Sequence, residues 1–201
     1  WETTENKALL NAGPMVGYVD VHEVMLWVQT RKSAPVRIRY HEQKKPGEVF
    51  ETLPIDTQPS KGCTAHILIN DLKPATRYNY EVLINGVVVP RPYPTSFRTR
   101  RLGYHGPNDE PDDFTVALGS CAYIRDSGLL TKRKPHGSEY EIFRNIHEKQ
   151  PDLMIWLGDN FYFTPADWNT PTGMLKRYSN GRALPELQPL LGSVPQYAIW
   201  D

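Results

Sequence analysis

Side chains able to bind a metal follow two apolar stretches in the second half of this sequence. Cys121 comes shortly after the run Phe114–Leu118, and Asp159 and Tyr162 come just after the run Asp152–Leu157. A thiolate, a carboxylate and a phenol suit a hard trivalent or divalent metal better than a closed zinc site, which usually shows four cysteine or histidine ligands. The pattern therefore indicates part of a metal site.

Each of these residues, taken by itself, also has a purely structural explanation. A lone cysteine such as Cys121 is more often a small buried hydrophobe than a ligand. A Gly-Asp pair after a strand is commonly a turn, which would explain Asp159, and a tyrosine such as Tyr162 usually packs with a wet hydroxyl. Their joint placement after successive strands favours a functional site over three separate structural roles.

The two apolar runs read as buried parallel strands, and a third is predicted over Tyr197–Trp200, just before Asp201. A helix predicted over 139–149 lies between the first two runs, so that strand, helix and strand form a βαβ unit. Ligand sites in such sheets lie outside the carboxyl ends of the strands. The loops carrying Cys121, Asp159 and Asp201 should therefore converge if the three strands are neighbours.

The predicted helix has a recognisable start, since Ser138 is a candidate N-cap and Glu141, three residues later, would complete a capping box. Pro151 stops the helix. His147 on this helix is expected to be exposed, whereas His136 lies in a loop that could reach the site. Three apolar residues are expected to share the buried face of the helix. They are Ile142, Phe143 and Ile146.

The first half of the chain has an all-β pattern. Residues 1–12 are polar and read as a lead-in arm or short helix, and short strands follow from residue 13 to residue 100. Asn85-Gly86 predicts a hairpin turn. The strands are predicted over Val24–Thr30, Val36–Tyr40, His66–Ile69, Tyr78–Val82, Val87–Val89 and Thr95–Thr99.

The stretch Leu72–Tyr80 resembles the corner "L-x-P-x-T-x-Y-x-Y" of fibronectin type III modules. In such a corner a tyrosine hydroxyl anchors the preceding loop. The later segment Ser96–Thr99 resembles the last strand of the same module. The alternative is another β-sandwich that happens to carry a Pro-Thr turn.

Composition excludes several classes of function. The chain has 201 residues with 23 basic and 23 acidic side chains, so its charge indicates neither nucleic-acid nor membrane binding. No segment approaches the roughly 20 apolar residues of a membrane span. Cys63 and Cys121 are expected to be free thiols, because they fall in what read as different domains. Residues 101–113 read as a linker between those domains, and the sequence carries no indication of oligomeric state.

Three motifs in order, "FTVALGSCAY", "PDLMIWLGDNFYF" and "VPQYAIWD", resemble the opening motifs of PhoD-type alkaline phosphatases. These enzymes belong to the calcineurin-like metallophosphoesterase superfamily. The resemblance implies a fibronectin III-like sandwich over 1–100, a linker over 101–113, and over 114–201 the first part of an α/β metallophosphoesterase domain of the αββα type. It also implies Cys121, Asp159 and Tyr162 as ligands of an iron and calcium site, with Asp159 bridging, and other divalent metals remain possible.

The resemblance further implies hydrolysis of phosphate mono- or diesters by a metal-bound hydroxide, in a secreted, periplasmic or extracellular enzyme. No signal peptide is present in this sequence. The family's third motif, "W-D-D-H", stops here at Asp201, so the chain is expected to be the N-terminal portion of a longer enzyme and inactive by itself. Asn160 stands where many relatives carry tyrosine. Asn160, Asp201 and Arg125 are candidates for substrate or outer-shell contacts.

Two alternatives remain open. A purple-acid-phosphatase-like enzyme also pairs a fibronectin-like module with a dimetal domain, although its first strand should end in a metal-binding aspartate rather than Cys121. A non-catalytic binding protein with a degenerate metallophosphoesterase domain would bind no metal. Several basic residues in the segments 122–136 and 163–195, which read as loops, could meet a phosphoester substrate but are mostly expected to be solvated surface charges. They are Arg125, Lys132, Arg133, Lys134, Lys176 and Arg177.

Overall fold

The structure is a computed structural model that describes residue 5 and residues 8–103, 113–124 and 140–199. In these residues an antiparallel β-sandwich precedes a small parallel sheet with three helices. The strands of the sandwich are, in chain order, β1 (Leu10–Val19), β2 (Val24–Thr30), β3 (Pro35–Glu42), β4 (Phe50–Glu51), β5 (Ile55–Asp56), β6 (Thr64–Ile69), β7 (Arg77–Ile84), β8 (Val87–Val88) and β9 (Ser96–Arg98).

The sandwich consists of two antiparallel sheets. One has the order β1-β2-β6, and the other has the order β4-β3-β7-β8, with β5 paired to β3 and β9 paired to β7. Residues alternate between inside and outside along β6, as a half-buried strand requires. The inward residues of both sheets form one core that includes Val16, Leu26, Ile38, Ile67 and Tyr80. The alternation read from the sequence therefore locates these strands to within about two residues.

Two local predictions for the sandwich are confirmed. The hydroxyl of Tyr78 accepts a hydrogen bond from the backbone N–H of Lys73 at 2.9 Å, as a tyrosine corner requires. Asn85 and Gly86, with φ of 54° and 77°, form the turn between β7 and β8. Both central residues of a type I′ hairpin turn need positive φ, which asparagine and glycine tolerate best.

The prediction for residues 1–12 is wrong in part, because β1 begins at Leu10. Leu9, Leu10 and Ala12 are buried, and Leu10 is the register partner of Thr30 on β2. The pairing of β1 with β2 contains several register shifts, so the side chains of β1 do not alternate cleanly. These irregularities hid the strand from a pattern with a period of two.

The second half contains β10 (Val116–Gly119), α1 (Glu141–Glu148), β11 (Leu153–Trp156), α2 (Pro171–Arg182), α3 (Gln188–Ser193) and β12 (Gln196–Ala198). The three strands form a parallel sheet in the order β10-β11-β12, which confirms that they are neighbours. Phe143 of α1 and Leu190 of α3 pack with Met154 of β11 in a second core. Helices thus cover one face of this sheet.

Several finer expectations for this half need correction. Glu141 is the first residue of α1 rather than the third, and Tyr140 precedes it with no side-chain cap, while Ser138 lies outside the described residues. Ile142 is 57% exposed and does not share the buried face with Phe143. Leu118 is 61% exposed, so β10 is not buried on both faces.

The region 163–195, read as loops, contains the helices α2 and α3. Its many glycines and prolines weaken the apolar periodicity by which a helix is recognised. No helix within the described ranges is long and apolar enough to cross a membrane. The linker over 101–113 remains a prediction, because residues 104–112 lie outside the described ranges.

Specific hydrogen bonds join the sandwich to the helices. The hydroxyl of Tyr80, buried in the sandwich, donates to the backbone carbonyl of Gly192 in α3 at 2.7 Å. The side-chain amide of Gln29 on β2 donates to the hydroxyl of Ser179 in α2 at 2.9 Å. Buried polar bonds of this kind need correct geometry on both sides, and they therefore set the position of α2 and α3 relative to the sandwich.

Candidate metal centre

The loops that follow β10 and β11 are hydrogen-bonded to each other beyond the ends of the strands. The N–H of Ala122 donates to the carbonyl of Asp159 at 3.0 Å, and the N–H of Cys121 donates to the carbonyl of Gly158 at 3.4 Å. The parallel pairing of β10 and β11 thus continues into the two loops. This continuation places the side chains of Cys121 and Asp159 at the same edge of the sheet.

Asp159 lies at the centre of the candidate site. Its Oδ2 atom accepts a hydrogen bond from the hydroxyl of Tyr162 at 2.5 Å and lies 3.7 Å from Sγ of Cys121. The three residues singled out from the sequence are therefore in mutual contact. Cys121 is exposed, and Asp159 and Tyr162 are half-buried, so the cluster is open to solvent.

The backbone at the site adopts uncommon conformations. Cys121 and Asp159, with φ of 58° and 48°, both lie in the left-handed region, and Gly158 has φ of 99°. Such conformations cost about 1–3 kcal/mol for non-glycine residues and cluster at functional sites. Two of them in contacting loops turn the thiol and the carboxylate toward each other, which is the use expected of such strain.

Hydrogen bonding to Asp159 raises the pKa of the Tyr162 phenol, and the bond to Cys121 acts in the same direction. The phenolic O–H donates to Oδ2 of Asp159, and the negative charge of that carboxylate disfavours a phenolate, so the neutral phenol is favoured while no cation is bound. A bound cation would reverse this preference, because it draws thiol and phenol ligands into their anionic forms.

The chemistry of this donor set fits a metal ion of high charge. Carboxylate and phenolate oxygens are hard ligands, and a thiolate adds strong negative charge. Among the described residues, no group of three or more histidine, cysteine, aspartate and glutamate side chains could hold a metal ion. Tyr162 is therefore needed to give three donors, together with Cys121 and Asp159.

Asn160 is the one residue within the described ranges that has a buried side-chain polar atom with no hydrogen-bond partner, and that atom is Oδ1. The residue lies in the loop 158–163, here called the metal loop after its candidate ligands, and lines a cavity of about 180 Å³ together with Ala122, Phe161 and Arg182. A buried acceptor without a donor costs free energy, so a ligand or water that donates to it would be favoured.

Helix α2 packs against the metal loop, and the sequence patterns did not predict this contact. The rings of Phe161 and Phe163 lie 4.7 Å and 5.6 Å from the ring of Tyr178, measured between centroids. The guanidinium of Arg182 lies 5.0 Å from the ring of Trp27, 5.5 Å from Tyr178 and 5.9 Å from Phe161. Cation–π and ring contacts therefore link the sandwich, α2 and the loop that carries Tyr162.

Gly181 in α2 packs directly under Phe161. A Cβ atom at position 181 would overlap the Phe161 ring, with only 2.8 Å to Cδ1. Helix propensity by itself predicts that Gly181→Ala gains about 1 kcal/mol. Overpacking costs about 1–3 kcal/mol. We therefore expect Gly181→Ala to lower the free energy of unfolding, measured in urea, by about 1 kcal/mol and to weaken metal binding. The control is Gly47→Ala, where a Cβ meets nothing within 4 Å, and a stabilised Gly181→Ala protein with unchanged metal binding would contradict this packing.

Arg177 is buried, which corrects the expectation that it is a solvated surface charge. Its Nε and Nη2 atoms donate to Oδ2 of Asp167 at 3.0 Å and 2.9 Å, and both residues are more than 90% buried. The N–H of Thr164 also donates to this oxygen at 2.7 Å. This bond and the guanidinium hold the pKa of Asp167 below its usual value. The network fixes the chain two residues after Tyr162.

The remaining candidates do not join the cluster in the described part of the chain. Arg125, His136 and Asp201 lie outside the described residues. His147 is half-buried rather than exposed, and its Nδ1 lies 3.2 Å from the hydroxyl of Ser193. Burial lowers the pKa of His147. Because it lies at the far end of α1 from the metal loop, this histidine serves packing between α1 and α3.

Comparison with known proteins supports the fold. Residues 7–102 match a family described as a domain of unknown function, DUF7800. No curated protein sequence matches the chain. The structure of PhoD has a TM-score of 0.71 at 16% identity, covering 98% of this chain and 38% of PhoD. A purple acid phosphatase from yellow lupin (Lupinus luteus) seeds has a TM-score of 0.62 at 13% identity, covering 94% of this chain and 34% of that protein.

The fold is therefore similar to those of PhoD and of the lupin purple acid phosphatase. The likeness to PhoD extends across both the sandwich and the parallel sheet. The chain spans little more than a third of the length of either neighbour. At these identities the likeness concerns the fold, and any activity must be argued from the site.

Proposed function

We propose that this chain forms part of a metal-dependent active site for the hydrolysis of phosphate mono- or diesters. The observation that carries the proposal is the contact of one carboxylate oxygen of Asp159 with both Cys121 and Tyr162 at the carboxyl ends of parallel strands. Ligand sites in parallel sheets form at this edge. The phosphoesterase-like fold and the sequence motifs support the same reading.

Each residue has a distinct task in this proposal. Asp159 would be the ligand shared by two cations, as the family resemblance implies. Cys121 and Tyr162 contribute a thiolate and a phenolate, and their protons leave when a cation binds. When bound, metal ions polarise a phosphoryl oxygen and lower the pKa of a water molecule. Iron and calcium are proposed from the family resemblance, and other divalent metals could occupy the same donors.

Asn160 gives the site a contact for the substrate or for an ordered water. Its buried Oδ1 accepts no bond from the described residues and lies in the loop between Asp159 and Tyr162. A hydroxyl or water that donates to this oxygen would be held next to the reacting phosphate.

By the family resemblance of its sequence motifs we place the protein outside the cytoplasm, in a secreted, periplasmic or extracellular location.

A purple-acid-phosphatase-like enzyme is the second candidate, supported by the likeness to the lupin enzyme. The first strand of this sheet is followed by Ser120 and Cys121 instead of an aspartate, which disfavours a site of that type. A non-catalytic protein with a degenerate site is the third candidate. The contact of all three candidate ligands, Cys121, Asp159 and Tyr162, argues against it.

The test is Cys121→Ser in the full-length natural protein, with Cys63→Ser as the matched control. Both cysteines are free, but Cys63 lies in the sandwich, just before the first residue of β6. We expect elemental analysis to show that Cys121→Ser has lost most of its bound iron. Its activity should fall at least about 10-fold, because removing a metal ligand should cost more activity than changing a residue that only orients a ligand. Cys63→Ser should retain both. Full iron content in Cys121→Ser would exclude the PhoD-type site.

A further inference from the structure

Three arginines on the outer face of the sandwich form a cluster that is not part of the candidate metal centre. Arg77 on β7 and Arg98 on β9 are directly opposite each other in the antiparallel pair. Arg100 lies two residues beyond Arg98, and Thr99 between them is buried, so both arginines project outward. Like charges in opposed positions of a sheet are destabilising. The arrangement needs an explanation.

Two other arginines of the sandwich, Arg37 and Arg39, have acidic partners on the neighbouring strands. Arg39 on β3 lies 2.8 Å from Glu51 and 3.8 Å from Glu81, and Arg37 lies 3.7 Å from Glu51. Among the described residues, by contrast, no ion pair is formed by the three clustered arginines Arg77, Arg98 and Arg100. The chain as a whole has equal numbers of acidic and basic side chains, so this local excess does not follow from composition.

The three arginines line a cavity of about 660 Å³ between the sandwich and the amino ends of β10 and β11. Asn79 and Ser96, the next pair along β7 and β9, offer neutral hydrogen-bonding groups on the same wall. Two carboxylates, those of Asp113 and Asp152, also line the cavity. Asp152 already accepts a hydrogen bond from the N–H of Thr115 at 2.8 Å. The cavity is therefore basic on one wall and weakly acidic on the other.

We propose that this cavity, here called the arginine groove, binds a single phosphate group, either as inorganic phosphate or as a small phosphate monoester. The guanidinium fork matches the oxygens of phosphate, and an anion between Arg77 and Arg98 removes their repulsion. The carboxylates of Asp113 and Asp152 disfavour a ligand with several phosphates. The groove lies at the amino ends of the strands, whereas the metal centre lies at their carboxyl ends. The two sites are therefore on the order of 10 Å apart.

The experiment titrates metal-free full-length protein with inorganic phosphate and with glycerol phosphate at low ionic strength, using calorimetry. The groove variant is Arg77→Gln combined with Arg98→Gln. The matched control is Arg37→Gln, another outward arginine of the sandwich that does not line the groove. Asp159→Asn serves as a second control for binding at the metal centre, and circular dichroism confirms that each variant is folded.

We expect at least one of the two anions to bind, with at least 10-fold weaker affinity in the groove variant and unchanged affinity in both controls. Raising the salt concentration should weaken binding to the unmodified protein. If neither anion binds, or if affinity falls in Asp159→Asn but not in the groove variant, the proposal is wrong. Because a chelator is present throughout, these results are independent of whether the metal centre hydrolyses phosphoesters.

Discussion

Replacing Asp159 with asparagine should abolish hydrolysis of a phosphodiester dye by the full-length protein. The Oδ2 atom of Asp159 contacts both Cys121 and Tyr162, and an amide would not supply the negative charge with which this carboxylate would hold a cation. Mutation of groups that merely orient metal ligands costs about 10–100-fold in metal affinity or activity. Loss of the central ligand should therefore lower both kcat/KM and metal affinity by more than about 100-fold.

Asp71→Asn is the matched control for this experiment. Asp71 is exposed in a sandwich turn and has φ of 57°, close to the 48° of Asp159. Asparagine tolerates this backbone region, so the same chemical change is made in the same conformation without touching the site. Activity near that of the unmodified protein in Asp159→Asn, with metal retained, would remove Asp159 from the proposed mechanism.

Arg177→Met is expected to destabilise the protein by about 3–5 kcal/mol, the cost of leaving one member of a buried ion pair without its partner. Asp167 would keep its bond from Thr164 but would lose both bonds from the guanidinium. Urea unfolding followed by circular dichroism measures the change. The loop carrying Tyr162 should loosen as well, because this network begins two residues after it.

A double-mutant cycle separates burial of a charge from general damage to α2. Asp167→Leu combined with Arg177→Met removes both charges, and such apolar replacements of buried pairs are often close to neutral. The exposed pair between Arg144 and Glu186, 2.9 Å apart, provides the control, and Arg144→Met should cost no more than about 1 kcal/mol. If Arg177→Met costs as little as Arg144→Met, the Asp167 pair does not support the loop.

Much of the sandwich could be read from local patterns. The alternation along β3 and β6 and the apolar run of β2 located these strands, because the pleat places successive residues on opposite faces. Asn85-Gly86 and the tyrosine corner at Tyr78 were also readable, since each depends on a short segment with its own geometry. β1 was missed because its register shifts break the period on which that reading depends.

In the second half, local patterns were less informative wherever packing rather than propensity sets the outcome. Ile142 fits the apolar face of a helix by spacing, yet it is exposed because α1 packs against the second core through the side that carries Phe143 and Ile146. Arg177 looked like a surface charge because its partner, Asp167, lies ten residues earlier in a segment with no helical pattern. Burial of a charged residue depends on its partner, and partners distant in sequence are found only in the fold.

The residue types in the loops after β10 and β11 determined by themselves which side chains could bind a metal, and the parallel strands implied that the loops would meet. The tertiary structure decided how they meet. It brought Sγ of Cys121 and the hydroxyl of Tyr162 to the same oxygen of Asp159. It also placed Phe161 against Gly181 and set Arg77 opposite Arg98. These contacts join segments that are far apart in the chain. Their geometry depends on how whole sheets and helices pack, and a local sequence pattern does not predict that packing.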